Sequence, residues 1–457
     1  MSLPHGFQGP LQERPNAIAL SDEQGSCTWA ELAQQVEELH ATLERVGVLP
    51  GQRVLIPSRP PAAAARAVWA VLARGAHAVP IDPALPSAEA RRRATAVGAR
   101  FVLDVDGLRP LEPAAAPSSH GSHLPDAAAL LVFTSGTTGS ARAVVLSLPA
   151  LVASADGVVA GADLRAGDVW LDPLPLSHVG GLGVLFRGAR VGAETRLVDA
   201  FDPAAVARLL AGGAVSHASF VARMVDRLLP FLESENLRAS RLRCALVGGG
   251  RTDPELLRRA RARGLPAVST YGLSEAGSTV TLQRPTETVG AEGDAGWPVP
   301  GRLLRIGPDD EVQVGGPSLM TGYDDGPPLD GWLPTGDRGR LLADGRLMVL
   351  DRRSDLVVTG GENVSPTEVE GLLRGVPDLL EVCVLGLPHP SWGQELIAVA
   401  VWRGAAGPEV AQEALKAMAP WQRPRRWIQR RDPLPRNALG KLLREQLRQE
   451  LMDSGER

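Results

Sequence analysis

Three apolar runs in this chain end directly in turns rich in glycine and hydroxyl residues, and that ordering constrains the fold more than any other feature. LVF (131–133) leads into TSGTTG (134–139), LRCALV (242–247) into GGG (248–250), and PAVS (266–269) into TYGLSE (270–275). Strands that end in small-residue turns suit an open α/β sheet, which binds ligands at the carboxyl ends of its strands. The surrounding pattern agrees. RVLIP (53–57) and HAVPID (77–82) read as buried strands, with a helix over 62–74 between them. Thr28 is placed to cap a helix from Trp29, with Glu31 completing a capping box. Such alternation predicts a parallel sheet covered by helices.

Residues 107–126 read as a loop, the βα texture resumes from 150 to 290, and short strands and turns replace it over 296–350. The last segment has its own strands and helices. The expected division is therefore an N-terminal domain over 1–351 and a C-terminal domain over 352–457, joined by a charged, small-residue linker (351–366) that serves as a hinge.

Bulk properties exclude several function classes. At 457 residues more than one folded unit is expected, and 44% hydrophobic with 22% charged residues is an ordinary soluble composition. A net charge of −4 gives no basic field for nucleic acid or anionic lipid. Cys27, Cys244 and Cys383 are far apart and show no zinc or disulfide spacing, so free thiols in a reducing cytoplasm are expected. No signal peptide and no membrane-length apolar run is visible.

The segment 134–139 concentrates hydroxyls and glycines whose backbone N–H groups can line an anion nest, and phosphate is its natural guest. It lacks the Walker pattern. Gly248, Gly249 and Gly250 permit close approach by a flat ligand or simply make a tight turn. Tyr271, Gly272, Ser274 and Glu275 offer an aromatic plane, a hydroxyl and a carboxylate. Glu275 is either a magnesium ligand or an acid favoured at a helix start. Asp337 could accept two ribose hydroxyls or close an Asx turn. His178 precedes a helix in PLSHVGG (175–181), and nothing in the sequence gives it a triad or a metal partner.

Of 48 basic residues only Lys416 and Lys441 are lysines. Where a cation merely has to be a cation, this chain uses arginine. A surviving lysine is a candidate for a task that needs a compact ammonium, or is a surface charge like any other. Lys416 lies in a helical run (413–418) and reads as a solvated face; Lys441 lies in PRNALGKLLR (435–444).

In this order, these segments resemble the adenylate-forming superfamily of acyl-CoA synthetases, adenylation domains and luciferases, over nearly the whole chain. The resemblance implies that superfamily's fold: a large layered βα N-terminal domain with a small barrel-like part, and a mobile C-terminal domain with α+β character. It also implies an acid–thiol ligase that uses ATP, Mg2+ and coenzyme A. Thr134, Ser135, Gly136, Thr137, Thr138 and Gly139 would hold the ATP phosphates. Arg142 stands where the superfamily loop usually has lysine. Gly248–Gly250, Tyr271 and Gly272 would flank the adenine, with Ser274 and Glu275 near the α-phosphate and Mg2+. Asp337 and Arg352 would hold ribose or phosphate, and Ser354 aligns with the hinge. Lys441 would bridge the α-phosphate and the substrate carboxylate. Gly360, Gly361 and Glu362 would enter for thioester formation after the C-terminal domain rotates.

Within the superfamily, PLSHVGGL and SDLVVTGGEN look most like the o-succinylbenzoate–CoA ligases of menaquinone synthesis. That resemblance implies a second substrate carboxylate, with Arg187 as its cation and His178 beside the acyl pocket. Other aryl- or acyl-CoA ligases, and enzymes that load a carrier protein, are the alternatives. Expected partners are a small carboxylic acid, ATP and CoA, with no nucleic acid and no membrane; a homodimer is left open.

Overall fold

The computed structural model describes residues 3–111, 128–134, 141–352, 355–359, 362–404, 406–416, 418–437, 440 and 442–454. The chain divides into two compact units. One comprises Met1–Ile306, Gln313–Thr335 and Leu341–Met348, and the other Gly307–Val312, Gly336–Arg340 and Val349–Arg457.

The larger unit is built on two sheets. The first has nine strands, in the order Trp297–Pro298, Ser278–Leu282, Ala267–Leu273, Cys244–Gly248, His217–Val221, Val169–Asp172, Glu194–Leu197, Ile18–Asp22 and Gly25–Thr28. It is parallel from Ala267–Leu273 to Ile18–Asp22 and antiparallel at both edges. The second has seven, in the order Gly322–Tyr323, Ala143–Ser147, Ala128–Phe133, His77–Ile81, Arg53–Pro57, Phe101–Asp104 and Gly107–Pro110. The expected α/β class is therefore observed.

Local signals turned into local structure. Thr28 caps the helix Trp29–Val46: its hydroxyl accepts from the Glu31 amide, while the Glu31 carboxylate accepts from the Thr28 amide at 2.7 Å. The helix expected over 62–74 spans Pro61–Ala73. These two helices, with Leu148–Ala162 and Val179–Val191, supply much of a core in which Phe7, Trp69 and Phe186 meet at centroid distances of 5.2–5.4 Å. Burying aromatic rings in tilted and edge-on pairs adds contact energy to the apolar transfer term.

Two readings need correction. Gly107–Pro110 is not loop but an edge strand, antiparallel to Phe101–Asp104, because the intervening residues 105–106 suffice to turn the chain back. The strand read as 266–269 runs on through Leu273 and pairs with Ser278–Leu282, so its turn comes later, at Ser274–Ala276 and Gly277 (φ +70°).

The smaller unit has its own core. Its sheet holds Glu362–Val364, Val357–Thr359, Gly393–Trp402, Leu379–His389 and Arg426–Arg430. Along Gly393–Trp402 the side chains alternate: Leu396 and Ala398 pack with Val369 and Leu373, whereas Ile397 and Val399 pack with Leu447 and Leu451. The strand is buried on both faces, which explains its unbroken apolar sequence. Among the described residues no helix is long and apolar enough to cross a membrane.

Candidate active site

The first sheet brings two of the three glycine-ended runs together. Cys244–Gly248 and Ala267–Leu273 are neighbouring parallel strands, with Val247 opposite Ser269, so the glycine run leaves its strand at Gly249 and Gly250, beside Thr270 and Tyr271 of the strand that continues. Glycine is needed here for two different reasons. Gly249 has φ +81°, a conformation that L side chains resist. At Gly272 the demand comes from the protein itself: a Cβ would lie 2.1 Å from the Ser278 carbonyl oxygen, where the strand pair is irregular.

The hairpin of the second sheet supplies the third run. Thr134, at the end of one of its strands, donates its amide to the Arg142 carbonyl at 2.9 Å. Arg142 then reaches across to Asp325, Nη2 to Oδ1 at 2.7 Å and Nε to Oδ1 at 3.1 Å. This carboxylate raises the arginine's already high pKa. The guanidinium also lies over the Tyr323 ring, 3.7 Å from its centroid. The Tyr323 hydroxyl in turn donates to Glu275 Oε1 at 2.8 Å. Asp325, Arg142, Tyr323 and Glu275 thus form one continuous chain of contacts. It links the phosphate-loop candidate to the metal-ligand candidate.

Glu275 is held from behind as well, since its carbonyl accepts from Met320 N at 2.8 Å. Among the described residues no group of three or more His, Cys, Asp or Glu side chains could cage a metal. One half-buried carboxylate fixed by a tyrosine nevertheless suits Mg2+, which takes one or two carboxylates and completes its shell with substrate phosphates and water.

Leu130, Leu151, Ala155, Leu182, Gly183 and Phe186 line a small cavity, with Ser154 and Gly277 as its polar members. Arg187 lies behind this wall on Val179–Val191 and is only 2% exposed. Its Nη2 donates to Ser278 Oγ at 3.2 Å, and its plane faces Trp170 at 5.0 Å. Burial lowers its pKa to about 10, partly offset by the carboxyl of Asp172. His178 is half-buried just before the same helix; burial lowers its pKa and Asp82 opposes the shift.

Asp337 and Arg352 belong to the smaller unit and pair there, Nε to Oδ1 at 3.2 Å. Ser135, Gly136, Thr137, Thr138, Gly139, Ser354, Gly360, Gly361 and Lys441 lie outside the described residues. Sequence reasoning missed Tyr323, Asp325, Asp172 and Ser278. A signal for Tyr323 existed: it and Tyr271 are the chain's two tyrosines, a rarity as informative as that of lysine.

Comparison with known proteins extends this picture. Residues 7–324 match the AMP-binding enzyme family and residues 368–441 match the AMP-binding enzyme C-terminal domain. The chain is 34% identical to a 2-succinylbenzoate–CoA ligase of Geobacillus kaustophilus (strain HTA426), covering 95% of each chain. It is 32% identical to the enzyme so named from Geobacillus sp. (strain WCH70), covering 98% of this chain and 97% of the relative. Its fold superposes on o-succinylbenzoate CoA synthetase from Bacillus subtilis in complex with the acyl-adenylate intermediate, with a TM-score of 0.86 and 29% identity over 97% of this chain and 98% of that one. ATP-bound MatB from Rhodopseudomonas palustris shares the fold with a TM-score of 0.87 at 23% identity, covering 99% of each chain.

Proposed function

Because the chain belongs to the AMP-binding enzyme family, we propose that it is an ATP-dependent o-succinylbenzoate–CoA ligase. The first half-reaction joins the substrate carboxylate to the α-phosphorus of ATP and releases pyrophosphate. In the second, the CoA thiol attacks the acyl carbon and AMP departs. The observation that carries the substrate assignment is the buried Arg187, backed by the Ser278 hydroxyl behind an otherwise apolar cavity. An acid with an aromatic body and a second carboxylate matches that combination; a plain fatty acid does not. The named activity of the relatives supports the same reading.

In this mechanism the 134–139 segment and Arg142 hold the β- and γ-phosphates. Gly248–Gly250, Tyr271 and Gly272 accommodate the adenine, and Asp337 with Arg352 takes the ribose. Ser274 donates to the α-phosphate, and Glu275 would hold Mg2+, which neutralises phosphate charge when bound. The Tyr323 hydroxyl keeps the Glu275 carboxylate aimed. Lys441 binds the oxygens on which charge develops during adenylation, where a fixed cation is worth most. His178 borders the acyl carbon, and its burial keeps the imidazole neutral beside an anionic substrate. Gly360, Gly361 and Glu362 serve the thiol step. We place the reaction in the cytoplasm, since Cys27, Cys244 and Cys383 are buried free thiols.

Pyrophosphate release across a panel of aryl and acyl acids, followed by CoA addition, tests the assignment. o-Succinylbenzoate should give both pyrophosphate and the CoA thioester. Thioester from another acid, with none from o-succinylbenzoate, refutes the reading.

A further inference from the structure

Arg187 stands behind the cavity wall, yet the proposed function needs its guanidinium to be met from inside. One residue opens that wall. From Gly181 to Ala189 every residue of the helix Val179–Val191 is buried except Gly183, which lines the cavity. A glycine inside a helix is unfavourable relative to alanine, so its presence there needs a cause. For two neighbouring glycines the cause is the fold. A Cβ on Gly181 would lie 2.8 Å from the Leu174 carbonyl oxygen, and one on Gly188 would lie 2.9 Å from the Ala193 carbonyl oxygen. At Gly183 no backbone stands so close. The three heavy atoms nearest to a Cβ there all belong to Arg187: Nη2 at 3.0 Å, Cζ at 3.3 Å and Nε at 3.6 Å. Arg187 lies one turn further along, and a long helical side chain folds back over the preceding turn. One edge of the guanidinium therefore lies where the side chain of residue 183 would begin.

The same nitrogen is fixed from a second element. Nη2 donates to Ser278 Oγ at 3.2 Å and to Thr279 Oγ1 at 3.5 Å. Ser278 directly follows Gly277, another residue that lines the cavity. Its φ of +110° is one that L side chains rarely adopt, and strain of this kind persists where the surroundings impose it, often at ligand sites. Nη2 is thus held between two stretches of cavity wall, Gly183 on one and Gly277–Ser278 on the other. Both of its hydrogen bonds are long and run to neutral hydroxyls. A carboxylate that reaches Gly183 from the cavity offers the shorter, charge-assisted bond and takes one of them over.

We propose that Gly183 is a specificity-determining residue: its missing side chain is the opening through which Arg187 Nη2 meets the ring carboxylate of the acid. A methyl group at this position comes between the two and pushes the guanidinium back. What remains is a pocket for acids that lack the second carboxylate. The inference rests on the o-succinylbenzoate assignment and deepens it, naming the atom that recognises the carboxylate and the residue that leaves it accessible.

The test compares o-succinylbenzoate with the analogue that lacks the ring carboxylate. The wild-type enzyme should show the lower KM for o-succinylbenzoate. Gly183→Ala should cut that KM advantage about tenfold, the loss of one charge-assisted bond, with kcat on o-succinylbenzoate changed less than KM. Arg187→Met should remove the advantage, and adding Gly183→Ala to it should not change the KM ratio further. A glycine that merely leaves room predicts that Gly183→Ala raises KM for both acids alike. That outcome overturns the proposal, as does an unchanged KM ratio in Gly183→Ala, or an effect of Gly183→Ala on the ratio that persists in the Arg187→Met background. If Gly183→Ala does not fold, the wild-type protein decides: a larger rise in melting temperature with o-succinylbenzoate than with the analogue supports the proposal, and equal rises overturn it. The two readings fail differently. Wild-type enzyme that forms no adenylate from o-succinylbenzoate removes the substrate assignment, whereas wild-type discrimination that survives Gly183→Ala removes only this inference.

Discussion

Arg142 shows what an arginine does where the superfamily loop ordinarily carries lysine. Its planar fork makes two contacts with Asp325 while its face covers Tyr323, an arrangement that an ammonium could not copy. Arg142 was legible in the sequence because it ends the loop motif. Asp325 and Tyr323 were not, because they lie far along the chain and arrive only through the pairing of Tyr323 with Val144. The Arg142–Asp325 pair is open to solvent, with side chains 38% and 63% exposed, so it is worth only ~0.5 kcal/mol and phosphate can displace it. In the proposed mechanism, where Arg142 holds phosphate, Asp325 competes with ATP for the same guanidinium. Asp325→Asn should lower the KM for ATP about twofold, the equivalent of one exposed pair, and Arg142→Ala should raise it about tenfold. Pyrophosphate release against ATP concentration measures both. A higher KM in Asp325→Asn would mean that the carboxylate aims Arg142 rather than occupying it.

Elements were legible where their cause is local. The Thr28 capping box and the run of Pro61–Ala73 needed only neighbours in sequence. The strand expected over 266–269 extends to Leu273, because Tyr271 and Gly272, turn-like in sequence, pair with the strand that follows. The structure gives Gly272 another task. Ser278 and Thr279 come back antiparallel at an irregular step, and the Ser278 carbonyl occupies the space of a side chain. A glycine that reads as a ligand-approach residue is, at this position, required by the next strand. That same step sets Ser274 and Glu275 on one side and Ser278, the partner of Arg187, on the other. Gly272→Ala must therefore push the two strands apart, at about 2–3 kcal/mol for an overpacked site. The expected result is a melting temperature lower by several degrees, together with weaker binding of ATP and of the acid. An alanine variant with unchanged melting temperature would show that the strand pair can open without cost.

At the scale of the whole molecule, two units with separate cores carry different parts of the proposed chemistry, and the scarcity of lysine marks the division of labour. Lys416, read as a solvated helix face, is indeed exposed and pairs with Glu413 at 2.5 Å. Any cation would serve there. The neighbours of Lys441 are tied down within the smaller unit. Arg436 bridges Leu442, Leu443 N donates to Pro435 O at 2.9 Å, and Arg444 pairs with the half-buried Glu370 at 2.9 Å. A chain with only two lysines among its 48 basic residues, one of them between such anchors, points to a requirement for shape as well as charge. In the proposed mechanism the first half-reaction uses a point cation that touches phosphate and carboxylate oxygens together, and the second uses none. Lys441→Ala should therefore lose adenylate formation by about 100-fold or more, while CoA thioester formation from pre-made acyl-adenylate persists. Lys441→Arg is the sharper variant. It preserves the charge and matches the chain's own habit, but spreads that charge over a fork which cannot meet both groups at once. It should recover no more than about a tenth of the wild-type adenylation rate. Full recovery by arginine would mean that charge alone suffices, and the rarity of lysine in this chain would then carry no mechanistic information.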